Sequence, residues 1–191
     1  MKNPTAVLSV WVDEREQTAW IKVTSRASFT CSVDFKVLIQ RLYDLSYSRF
    51  VLDLSACPLM DSTFLGVLAG LGSRFNQAVP DGRKARIELL NPNPRILDLL
   101  ENLGVAHLFQ LIKGASPATG QLSRLEQPPG AADRVEMART SLEAHQTLMS
   151  INPANVPKFK DVAEFLAEDL KKLEEQRPTP PAEPGDSNKN P

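Results

Sequence analysis

The residues best placed to do chemistry are Asp61-Ser62-Thr63, which sit between two segments of different hydrophobic period. Before them runs a short apolar stretch, Phe50, Val51, Leu52 and Leu54, broken by Asp53 and followed by the turn-like Ser55-Ala56-Cys57-Pro58. After them Phe64, Leu68, Leu71 and Phe75 recur every three or four residues, with Leu65 and Val67 beside them. This is the pattern of a buried strand, a loop and an amphipathic helix. Asp61 and Ser62 then fall where the first N–H groups of a helix lack intrahelical partners. A short oxygen-bearing side chain caps such a helix. The same free donors and the helix dipole also suit a phosphate. The residues alone leave both readings open, a plain capping cluster or a hydroxyl held where it can accept a phosphoryl group. Nucleophilic catalysis would need a base within reach of the hydroxyl. The sequence places no histidine beside Ser62, and Asp61 is a weak base. No Gly-Lys-Ser/Thr phosphate loop and no GxGxxG after a strand is present, so an enzyme is not expected.

The stretch Asp53-Leu54 followed by Met60-Asp61-Ser62-Thr63-Phe64-Leu65-Gly66 resembles the STAS domain, the fold of anti-sigma factor antagonists and of the cytoplasmic tails of sulphate transporters. The resemblance covers roughly residues 5–112. In family antagonists the serine after the aspartate is phosphorylated, which implies Ser62 as the acceptor, with Thr63 a minor alternative. It implies a partner-binding surface on Asp61, Ser62, Thr63, Phe64 and Leu65. The implied partners are a kinase-type anti-sigma factor and a serine phosphatase, acting by partner switching in bacterial transcription control. The alternatives it carries are a STAS adaptor subunit of a lipid or anion transport complex and a scaffold of a stress-signalling assembly. Phe64 stands where the family usually has glycine. In the first helical turn it can point into the core or lie on the face that a partner covers.

Composition is ordinary for a soluble globular protein. The 191 residues are 42% hydrophobic and 24% charged, with a net charge of −1. This offers no electrostatic case for binding nucleic acid or an anionic membrane. No apolar run approaches the ~20 residues that span a bilayer. Met1-Lys2-Asn3-Pro4 lacks the apolar core of a signal peptide, so a cytoplasmic location is expected. Cys31 and Cys57 lie in apolar segments and read as reduced, buried thiols. The histidines, His107 and His145, have neither the spacing of a ligand pair nor an obvious nucleophile partner, so no metal or cofactor is expected. His145 falls on the apolar face of a helical pattern and reads as a packed or rim residue.

In chain order the patterns give strands over 5–13 and 19–23, a helix capped by Ser32, the strand at Phe50–Leu54 and the helix after Ser62. A turn at Pro80-Asp81-Gly82, a strand at Arg86–Leu90, a helix capped by Asn93 and a last strand at His107–Ile112 follow. Such alternation argues for an α/β domain with a mostly parallel sheet, an N-terminal hairpin and crossover helices. The expected organisation is this domain over 1–112 and a linker over 113–130, in which Ser123–Gln127 could extend or end a helix. A helical hairpin over 131–176 and a disordered Pro-rich tail over 177–191 complete it. The hairpin's stripes, Val135 to Met149 and Phe159 to Leu173, cannot bury each other fully. They dock on the core or pair with another chain in a homodimer.

Overall fold

A computed structural model describes residues 7–77, 84–116, 123–125 and 132–176. The turn expected at Pro80-Asp81-Gly82 and the tail over 177–191 lie outside the described residues. Strands β1 (Val7–Asp13) and β2 (Thr18–Thr24) form the antiparallel hairpin. Asp13 Oδ1 closes its turn by accepting from the N–H groups of Arg15 and Glu16 at 3.0 and 3.1 Å. Val10, Val12, Ala19, Ile21 and Val23 are buried, the apolar phase that the alternation defines.

Helix α1 (Phe29–Asp44) leads to β3 (Arg49–Asp53), α2 (Ser62–Asn76) to β4 (Arg86–Leu90), and α3 (Pro94–Asn102) to β5 (Gln110–Ile112). β2, β3, β4 and β5 are neighbours in parallel register, as helical crossovers require. Phe50, Val51, Leu52 and Asp53 are all buried, because the centre of a parallel sheet is covered on both faces. Phe50 stacks on Phe75 of α2 at 5.3 Å, and Phe75 on Tyr43 of α1 at 5.1 Å. Aromatic packing thus seats α1 and α2 together over β3.

Three local expectations are corrected. Ser32 does not cap α1. It is buried inside the helix, and its hydroxyl donates to the Ser28 carbonyl at 3.0 Å. The strand expected over His107–Ile112 splits into a 3₁₀ turn at Ala106–Leu108 and the shorter β5. Ser123–Leu125, expected to be linker or helix, form strand β6, which pairs antiparallel with β1. The sheet order is β5-β4-β3-β2-β1-β6.

Helices α4 (Arg134–Ile151) and α5 (Val156–Glu175) form the expected hairpin, and α4 docks on α2 and α1. Asn155, fully buried in the hairpin turn, donates to the Leu103 carbonyl at 2.9 Å and the Leu148 carbonyl at 3.0 Å. It pins the turn to the end of α3 together with Asn152, whose side-chain amide also donates to the Leu103 carbonyl at 3.3 Å and whose N–H donates to the Leu148 carbonyl at 3.2 Å. Gly104, beside that end, has φ +69, and a Cβ there would come within 2.4 Å of the Asn152 amide. Glycine is required on both counts.

Candidate functional site

The loop before α1 and the loop before α2 run side by side. Ala27 N–H donates to the Leu59 carbonyl at 3.1 Å, and Asp61 N–H to the Ala27 carbonyl at 2.9 Å. Asp61 is therefore held with its carboxylate between two helix starts. Oδ1 accepts from Phe64 N–H of α2 and Oδ2 from Phe29 N–H of α1, each at 2.9 Å. One carboxylate caps both helices, so its oxygens are committed to structure.

Ser62 is the first residue of α2 and is half-buried. Its Oγ lies 3.0 Å from Nε2 of His145 on α4, 83 positions away. Nδ1 of the same ring lies 2.7 Å from the Ser141 carbonyl, an acceptor only, so Nδ1 carries a proton and donates to it. In the neutral ring Nε2 is then the acceptor, and the Ser62 hydroxyl donates to it. His145 is 5% exposed and meets the Phe159 ring edge-on at 5.1 Å. The sequence reading missed this pair. His145 does have a hydroxyl partner, and that partner is the motif's own serine. Only the docking of α4 on α2 joins them.

That docking had a signal in the sequence. Gly66-Val67-Leu68-Ala69-Gly70 places two glycines one helical turn apart. A Cβ on Gly66 would come within 2.4 Å of the Ala144 carbonyl oxygen, and one on Gly70 would touch Thr147 at 3.4 Å. The two helices run in the same direction, their backbones brought close where side chains are missing. Lys36 of α1 meets Glu143 of α4 at 2.6 Å across the exposed rim, a pair of little energetic weight.

The remaining motif residues divide by burial. Thr63 is 6% exposed and lines a groove of about 490 Å³ with Phe29, Met137, His145, Val162 and Leu166. Phe64 and Leu65 are both 0% exposed. Phe64 packs its ring 4.7 Å from Phe35, which resolves its two readings in favour of the core. Neither Phe64 nor Leu65 can offer its side chain to a partner, since both are spent closing the interior. Of the five residues expected to meet a partner, Asp61 and Ser62 are half-buried and Thr63 is buried but lines the groove.

Asp53 ends β3 and accepts from Ser55 N–H at 2.9 Å and from the Ser116 hydroxyl. Burial would raise its pKa, but these hydrogen bonds outweigh burial and hold it below the usual carboxylate value. Burial pushes the Cys31 thiol up to about 11 and raises Cys57 as well, so both stay protonated. Among the described residues, no group of three or more His, Cys, Asp or Glu side chains is gathered to hold a metal. No described helix is long and apolar enough to cross a membrane.

A parallel sheet entered through an N-terminal hairpin, with Asp-Ser-Thr opening the helix after its first parallel crossover, defines a class of α/β domain. The sequence matches the STAS domain over residues 9–116, more than half of the chain. The protein belongs to the STAS-domain family. Among solved structures it is similar to the anti-sigma factor antagonist SpoIIAA in its unphosphorylated form, at 15% identity and TM-score 0.45, covering 57% of this chain and 90% of that one. It is also similar to the Bacillus cell fate determinant SpoIIAA in the phosphorylated form, at 15% identity and TM-score 0.42, covering 56% of this chain and 91% of that one. No curated protein matches the chain.

Proposed function

We propose that the protein is an anti-sigma factor antagonist-like regulator whose affinity for a kinase-type partner is set by phosphorylation of Ser62. The observation that carries this reading is the position of Ser62 as the first residue of α2, directly after the Asp61 cap. A phosphoserine there adds about −1.5 to −2 charges at neutral pH. The helix terminus offsets part of this, by about 0.3–1 kcal/mol. The domain therefore keeps its fold when modified. A partner surface that covers Ser62 would instead have to bury that charge beside Asp61. A loss of about 3 kcal/mol weakens binding more than a hundredfold. The switch then lies in the interface and needs no refolding.

The protein acts by binding rather than by catalysis. The proton on His145 Nδ1 is directed to a backbone carbonyl. A catalytic triad has a carboxylate at that place, to stabilise the imidazolium that forms. A serine phosphatase would reset the switch, and the setting is cytoplasmic.

A second reading has its own support. The Ser62 hydroxyl is already engaged by His145, which suits a static STAS adaptor of a transport complex. Recovery of partners from the native host on the full chain separates the two. A histidine-kinase-like ATPase that binds wild-type protein and Ser62→Ala, but binds Ser62→Asp at least a hundredfold more weakly, supports switching. An ABC transporter ATPase that binds all three equally supports the adaptor.

A further inference from the structure

The hairpin sits on the helix that carries the acceptor serine. α4 covers Gly66 and Gly70 of α2 and takes the Ser62 hydroxyl through His145, while Thr63 faces the groove that α4 and α5 help to line. Two features make this contact separable from the rest of the fold. Several of the α4 residues buried in docking are small or polar, namely Ala138, Thr140, Ser141 and Ala144. Of α5, Ala163 alone is buried among the described residues, and Val162 and Phe165 are 43% and 68% exposed. The sheet ends on β6 and takes no strand from the hairpin, which reaches the core through Ala144 and Leu148.

We propose that the α4–α5 hairpin is an intrachain competitor for the regulatory face of α2. Docked, it holds Ser62 through His145 and withholds it from a kinase. Lifted, it presents Ser62, Thr63, Gly66 and Gly70 as a groove that admits a partner helix carrying a small residue where Ala144 now sits. Partner binding and hairpin docking are then mutually exclusive, and anything that holds the hairpin down silences the switch. This rests on the reading of Ser62 as a phosphoacceptor, whereas the opening of the hairpin does not.

A reversible tether tests it on the full chain. A Cβ on Gly70 would lie 3.4 Å from the Thr147 methyl, so Gly70→Cys and Thr147→Cys place their side chains in contact for a disulfide. The native Cys31 and Cys57 are buried and do not compete. In native-state hydrogen exchange with rising urea, the reduced protein should open α4 and the first turn of α2 in a step of smaller urea dependence than β3 and β4. Oxidation should abolish that step. Exchange of α4 only through global unfolding, alike in both redox forms, would overturn the proposal. In an extract of the source cell supplied with ATP, the oxidised protein should carry at least tenfold less phosphate on Ser62 than the reduced one. Equal labelling would also overturn it. Ala144→Leu, which forces bulk against the Gly66 backbone, gives an independent check and should speed Ser62 labelling relative to wild type. Should Ser62 stay unlabelled in every form, the phosphoacceptor reading fails, and the exchange measurement still decides whether the hairpin opens.

Discussion

At the scale of single residues, Asp61 and Ser62 have separate work. Asp61 holds two helix starts, so Asp61→Ala removes two caps at once. Each cap is worth about 0.5–2 kcal/mol, and the pair should cost about 1–4 kcal/mol, read as a lower urea midpoint with an unchanged slope. Asp61→Asn keeps an acceptor and should recover a good part of that loss. Glu88 gives a pH signature far from the site. It is 3% exposed and bonded through both oxygens to Arg49 at 2.9 and 2.8 Å, with Arg86 at 2.8 Å. Burial alone would raise its pKa, but the two guanidinium groups outweigh it and hold the value below the ordinary 4.5. The stability it supplies is full above that unfolded-state value and drains as pH falls below about 4.5 through the depressed folded-state value. Glu88→Gln should therefore flatten the loss of stability with pH below about 4.5, measured by urea denaturation across pH 2.5–7. The reactivity of the thiols belongs here too. With Cys31 at 3% and Cys57 at 2% exposure, native protein should react with a thiol reagent far more slowly than urea-unfolded protein.

At the scale of elements, Asn155 is the buried side chain of the hairpin turn, with Asn152 and Lys158 bonding the end of α3 beside it. Asn155→Ala leaves the Leu103 and Leu148 carbonyls without that donor. Each carbonyl keeps a donor from Asn152, so the change should cost about 1–3 kcal/mol and loosen α4 and α5 before the sheet, seen as faster amide exchange confined to those helices. The strand-loop-helix around Ser62 was legible in the sequence because period and capping are local properties. The change from the Phe50–Leu54 run to the Phe64, Leu68, Leu71, Phe75 spacing marks β3 and α2 without any knowledge of the fold. Asn93-Pro94 marks the start of α3 in the same way. β6 was not legible. Three residues give no periodicity, and pairing with β1 is a long-range choice. Ser32 misled because serine near a helix start reads as a cap, whereas Asp61 from a distant loop supplies the acceptor at Phe29. The Ser62–His145 bond was beyond the motif, since nothing in either local window names the other. Gly66 and Gly70 of α2 were the readable sign that another helix would approach there.

At the scale of the whole molecule, a STAS domain carries a helical appendage over the helix that begins at Ser62. Removal of residues 131–191 should uncover Gly66, Gly70 and the groove at Thr63, lower the melting temperature and increase the binding of an apolar dye. Unchanged melting and dye binding would mean that the hairpin contributes nothing to the core. The account stands or falls on Ser62 as the regulated residue. The most direct test is phosphosite mapping of the full-length protein isolated from its native host, and after incubation with the co-purified kinase and ATP. The account predicts one phosphate on Ser62, none in Ser62→Ala, and an unchanged circular dichroism spectrum on modification. An unmodified Ser62 beside a demonstrably active kinase, with partner affinity equal for wild type, Ser62→Ala and Ser62→Asp, would contradict it and leave Asp61-Ser62-Thr63 as a helix cap.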